Sequence, residues 1–220
     1  MPRRSSRTER AQLLLDAHTL AVRGALTVQM AELLHTSRCD LFQCLPSIDG
    51  DGDVHLHCSD GQSQVEALPL LAKFILSAQD TDASVALLHC LCGSDGEQRV
   101  KLLQQRCGDR KYDAFFYMAL KGHLLMLMHA QKMLPPQERR SYLRRTRGIS
   151  GTTLLHAAVL YGHLNVTAWL LFCVGMSTRT VHKVIELSKC VPSRLSLRVL
   201  LHSASLSYGL TGTFFPTHVP

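Results

Sequence analysis

Residues 151–175 read GTTLLHAAVLYGHLNVTAWLLFCVG, and the fold follows from how this stretch folds locally. Thr153 stands where a side-chain oxygen can cap a helix beginning at 154, and His156, three residues on, can hydrogen-bond around that start. Ala157 and Ala158 are small, so a neighbouring helix can approach closely. Gly162 supplies a tight turn at a point where a side chain would clash. Beyond it Val166, Trp169, Leu170 and Leu171 give a second helix a buried stripe. Gly175 suits the left-handed conformation that ends helices. The stretch therefore predicts two short helices with a sharp turn between them, and no step in it needs chemistry.

Working outward, the same vocabulary recurs. Residues 56–65 read LHCSDGQSQV and residues 88–100 read LHCLCGSDGEQRV; both run Leu-His-Cys, Ser-Asp-Gly, three residues, then Val. His57 and His156 span three periods of roughly 33 positions each, and His89 falls close to the end of the first. From Asp113, DAFFYMALKGHLLMLMHAQKML keeps a Gly122-His123 pair, a little more than one period ahead of Gly162-His163. A period of this size is the signature of stacked supersecondary units. His18, Gly24 and Val28 keep a similar spacing, too thin a match to count as a repeat.

The stretch 151–175 resembles an ankyrin repeat, with Gly151, Thr153, Leu155, His156, Ala158, Gly162, His163, Val166, Leu170, Leu171 and Gly175 on that family's positions. Leu154 stands where proline is usual, and Val159 replaces an alanine. In the same register DGDVHLHC at 51–58 resembles the family's opening, with Val54 and His55 at its Thr-Pro positions and Leu56 and His57 matching. Degenerate copies then fall at about 51–80, 84–107 and 112–134. The extra length before 151 is assigned to PPQERRSYLRRTR (135–147), read as an enlarged loop. The resemblance covers roughly residues 50–176. It implies an all-α helix-turn-helix solenoid in which His57, His89, Gly122, Thr153, His156, Gly162, His163 and Gly175 have structural roles. It also implies non-catalytic protein–protein binding through hairpin tips and a concave helix face, with one or more proteins as partners.

The flanks complete a three-part organisation: a basic arm and helical cap over 1–44, the repeat region over 45–178, and a helical or partly disordered tail over 179–220. Leu13, Leu14, Ala17, Leu20 and Ala21 share one helical face, and Val28, Met30, Leu33 and Leu34 follow Gly24, so 10–34 reads as a helix pair covering the open end of the stack, the alternative being a free amphipathic arm for a partner. LLHSASLSYG at 200–209 weakly echoes LLHAAVLYG at 154–162.

The chain has 220 residues, 46% of them hydrophobic and 19% charged, enough to pack one or two cores. Its net charge of +7 is concentrated in Arg3, Arg4, Arg7 and Arg10 and again between Arg139 and Arg147. That distribution argues against a uniformly basic nucleic-acid binder, and Tyr142 is the only aromatic in the second cluster for bases to stack on. Eight cysteines scattered beside apolar runs read as reduced, buried thiols. With no secretory leader expected from the arginine-rich start, the expected location is cytoplasmic or nuclear.

Metal and catalytic readings fare poorly. Cys39, Cys44, His55, His57 and Cys58 are zinc-ligand types at loose spacing, as are His89, Cys90 and Cys92. Asp49, Asp51, Asp53 and Asp60 imitate a calcium loop, but Val54 occupies the position that needs glycine. No nucleophile elbow, phosphate-binding glycine loop or paired metal-binding histidine motif occurs. No cofactor, metal or catalytic residue is expected.

The positions expected to face a partner are Asp51, Asp53, Asp82, Arg145 and Arg147, acidic towards the first repeats and basic beyond the third. The alternative is a membrane-associated helical protein with spans near 114–134 and 152–176, a reading opposed by the charges in the first and by Gly162 within the second.

Overall fold

The structure, a computed structural model, describes residues 7–37, 39, 41, 46–48, 54–56, 68–107, 111–149, 151–177 and 180–184. Helices dominate, and they gather into two compact units, residues 1–117 and 118–220.

In the first unit α1 (Arg7–Val22) and α2 (Val28–Thr36) form a helix pair turned by Gly24 at φ 67°. Thr27 caps α2 by accepting from the Met30 amide at 3.3 Å. A second pair lies alongside, α3 (Leu70–Ser77) against α1 and α4 (Asp82–Cys92) against α2. Ala17 and Ala21 of α1 are fully buried, and the Ser77 hydroxyl donates to the Ala21 carbonyl. The face α1 buries runs through Ala11, Leu14, Ala17, His18 and Ala21, leaving Leu13 and Leu20 half-buried. The apolar stripe of a helix is broad enough for its buried centre to shift by a residue, and here packing turned it towards His18.

A two-stranded ribbon, β1 (Pro46–Ile48) and β2 (Val54–Leu56), pairs antiparallel with Pro46 opposite Leu56 and lies against α1. This corrects the helical repeat opening expected at Val54-His55-Leu56, whose backbone is extended. The next copy is corrected too. The helix there starts at Asp82, capped by the Thr81 hydroxyl, so His89 sits exposed in the last turn of α4 and not at a helix start. Gly93 ends α4 at φ 67°, and Asp95 caps α5 (Gly96–Gln104) by accepting from the amides of Glu97 and Gln98.

Helix α6 (Ala114–Lys121) carries the chain across the boundary between the units. In the second unit α7 (Leu124–Met133) follows Gly122, and α8 (Arg139–Arg145) replaces the loop expected at 135–147. Helices α9 (Leu154–Tyr161) and α10 (Leu164–Trp169) then flank Gly162, and α10 runs on into a π-helical turn, Leu170–Val174. That turn packs on both α8 and α9. The core of this unit includes Met126, Leu127, Leu143, Leu155, Val166 and Leu170, all fully buried. Each such side chain contributes about 1.5–3 kcal/mol of transfer free energy.

The apolar runs 114–134 and 152–176 are thus each broken by a left-handed glycine. The longest uninterrupted α-helix in either has 10 residues, against the ~20 needed to span a bilayer. No helix among the described residues is long and apolar enough to cross a membrane.

Candidate interaction surface

The geometry of 151–175 is built from its two ends. Thr153 and His156 form a reciprocal cap. The Thr153 hydroxyl accepts from the His156 amide at 3.3 Å, and His156 Nδ1 accepts from the Thr153 amide at 3.2 Å and from its hydroxyl at 2.8 Å. An accepting Nδ1 places the ring proton on Nε2, the neutral form. Burial, with Arg147 and Lys183 nearby, holds the His156 pKa below the usual histidine value.

The segment that begins at Asp113 follows the same plan one unit earlier. Asp113 stands where Thr153 does, its carboxylate accepting from the Phe116 amide at 2.9 Å. Gly122 and Gly162 have φ of 80° and 81°. His123 and His163, the next residues, share nearly one conformation, φ/ψ −77°/81° and −84°/86°. The amide of His123 bonds the Met118 carbonyl at 2.9 Å, as that of His163 bonds Ala158 at 2.8 Å. A one-bridge hairpin precedes each pair, Cys107 with Tyr112 and Arg147 with Thr153. The expected opening is absent from 113–116 as a motif, yet its function is carried by aspartate, an equally good capping residue.

The two turns are also joined directly. His163 Nε2 donates to the Leu120 carbonyl at 2.8 Å, and its ring lies over Gly122, where a Cβ would stand 2.7 Å from Cγ. In the first unit His35 makes an equivalent contact: Nε2 donates to the Cys90 carbonyl at 2.7 Å, and the ring lies 3.0 Å from where a Cβ on Gly93 would be. Nothing in the order of residues around His35 announces this, because its partner lies far along the chain.

The residues expected to face a partner are placed variously. Asp51, Asp53 and His57 lie outside the described residues, as do Cys44, Cys58, Asp49, Asp60 and the tail from 185 onwards. Asp82 is exposed at the first position of α4, where a carboxylate favours the helix N-terminus. Arg145 is exposed on α8, while Arg147 is half-buried and bonds the carbonyls of Arg144 and Thr146. Neither arginine hangs from a free loop: the first is in a helix and the second is tied to the turn after it. Gly175 ends the π-helical turn at φ 72°.

Helix α8 concentrates charge. Arg139 Nε and Nη2 donate to the Leu134 and Lys132 carbonyls, Arg144 Nε and Nη2 both to Val174, and Arg145 Nε and Nη2 to the Ser141 carbonyl and hydroxyl. Among the described residues no ion pair joins these arginines, Arg140 or Arg147 to a carboxylate. Residues 118–220 contain twelve Lys and Arg against two acidic residues, Glu138 and Glu186, whereas 1–117 contain twelve against fifteen.

A cavity of about 120 Å³ opens in the first unit between His35, Cys39, Leu91, Cys92 and Leu102. Burial pushes the Cys92 thiol up to about 12 and raises Cys39, so both stay protonated and poorly nucleophilic at neutral pH. Among the described residues no three His, Cys, Asp or Glu side chains are grouped to share a metal ion.

No protein-family model matches the chain, and no curated protein matches it in sequence.

Proposed function

We propose that this chain is a non-catalytic binding protein of the cytoplasm or nucleus, built on a short ankyrin-like stack of helix pairs that presents its turns and α8 to one or more partner proteins. The observation that carries this reading is the pair of matching turns at Gly122-His123 and Gly162-His163, linked by the His163 to Leu120 hydrogen bond. Repeated units that bury one face on a neighbour leave their other surfaces free, and such surfaces serve recognition rather than bond-making.

Isolation of the tagged full chain from cells, followed by size-exclusion chromatography with quantitative mass spectrometry, tests the reading. A partner protein should co-elute at a fixed molar ratio across preparations. A chain that elutes alone in every preparation, or that is recovered only with detergent, overturns it.

A further inference from the structure

We propose that α8 and the turn after it, Arg139 to Ile149, form the docking surface for an acidic segment of a partner protein in which Asp or Glu alternate with apolar residues. This rests on the protein-binding reading above and names the chemistry of one site within it.

The first support is uncompensated charge. Among the described residues of the second unit, eight Lys and Arg meet a single carboxylate, that of Glu138. Five arginines fall between 139 and 147, and none is paired with a carboxylate among the described residues. Like charges so close destabilise the isolated chain, and a partner carrying carboxylates relieves that repulsion.

The second support is pre-organisation. Arg139, Arg144 and Arg145 each turn the Nε and Nη2 side of the guanidinium towards their own fold, leaving the Nη1 amino group without a partner among the described residues. Anchored guanidinium groups lose less freedom on meeting a carboxylate than free ones. Arg140 and Arg145 are exposed and form the accessible part of the charge.

The third support decides the kind of anion. Ile149, two residues past Arg147, is 69% exposed, the most exposed large apolar side chain described. A phosphate backbone offers it nothing to cover, and Tyr142, half-buried, is the only aromatic in the segment on which a base could stack. A peptide that alternates carboxylates with leucine-like side chains meets both the arginines and Ile149.

The test is fluorescence anisotropy on the full chain with a labelled peptide of four Glu-Asp-Leu repeats. Peptides of Gln-Asn-Leu and Glu-Asp-Gly, a single-stranded oligonucleotide of equal charge and phosphatidylserine vesicles serve as comparisons. Saturable binding of the Glu-Asp-Leu peptide is expected, weakening about tenfold between low and physiological salt. Arg140→Glu with Arg145→Glu should weaken it at least tenfold and Ile149→Ser severalfold, both with wild-type helical content and a cooperative melt. Absence of saturable binding, equal affinity for the Glu-Asp-Gly peptide, tighter binding of oligonucleotide or vesicles, or indifference to the charge reversal each overturns the proposal. A partner that co-elutes with the charge-reversed chain at the wild-type ratio would remove this site while leaving protein binding in place.

Discussion

The imidazole of His163 rests on Gly122 and donates to the carbonyl of Leu120, so the turn of one helix pair caps the end of another. The contact needs two things of position 122. The backbone must be left-handed, at φ 80°, and no Cβ can be present, since it would stand 2.7 Å from the ring's Cγ.

Gly122→Ala should therefore cost about 2–3 kcal/mol, the left-handed backbone penalty plus displacement of the ring. Gly151→Ala separates the two terms, because its φ is 73° but no described residue beyond its chain neighbours lies within 4 Å of the added carbon; it should cost only about 1 kcal/mol. Urea denaturation of both variants measures the difference.

Arg144 and Gly175 form a second such pair. Arg144 donates twice to the Val174 carbonyl, at 3.0 and 2.8 Å, and a Cβ on Gly175 would stand 2.8 Å from its Nη2. Arg144→Met should destabilise by about 1–3 kcal/mol by leaving that half-buried helix end without its donors. Gly175→Ala displaces the same guanidinium, so the double variant should lose less than the two singles added together. Full additivity in a denaturation cycle would show that the two do not share the contact.

The cap at Thr153 makes a pH-dependent contribution. Its His156 must be neutral for Nδ1 to accept, and the His156 pKa is lowered in the fold. The unfolded chain then takes up a proton that the folded chain refuses, so stability falls as pH drops below the ordinary histidine value. Thr153→Ala should cost about 1 kcal/mol at pH 7 and Thr153→Ser much less. Thermal melts between pH 5 and 8 read both effects.

His18 should be the stronger acid sensor. It is 1% exposed, neither ring nitrogen has a hydrogen-bond partner among the described residues, and burial followed by the charge of Lys73 lowers its pKa to about 3. The folded pKa lies below the unfolded value of about 6.5, so its titration takes nothing from stability above that pH. Stability then declines as pH falls towards 3, by up to about 1.4 kcal/mol per pH unit. His18→Leu removes from the core two polar atoms that have no partner among the described residues. It should leave the protein as stable or more stable at pH 7, by up to about 2 kcal/mol, and should flatten the acid side of the profile. An unchanged slope between pH 4 and 6 in that variant would place the acid sensitivity elsewhere.

The parts of the fold legible in the residues are those governed by neighbours within a few positions. Thr153, His156, Gly162 and Gly175 act within one turn of themselves, and their roles follow from capping and left-handed backbone alone. The same rules mislead at Val54-His55-Leu56 and at His89, where a shared Leu-His-Cys tripeptide imitates a helix opening but Val54 and Ala86, not a capping residue, stand three positions before the histidine. They also miss α8, because arginine-rich polar sequence is compatible with loop and helix alike and only the packing of Leu143 and Arg144 decides between them.

Residue order alone carries the grammar of the short helices: where each of the runs 114–134 and 152–176 breaks, which residues cap it, and that neither run is one long helix. Only packing settles which distant residues meet. His35 on Gly93, His163 on Gly122 and Arg144 at Val174 each join residues from separate elements, and the charge of Lys73 on α3 reaches His18 on α1. The physical reason is range. A cap or a left-handed glycine is set by dihedral angles and hydrogen bonds inside one turn, whereas burial and desolvation depend on every element that packs around a side chain.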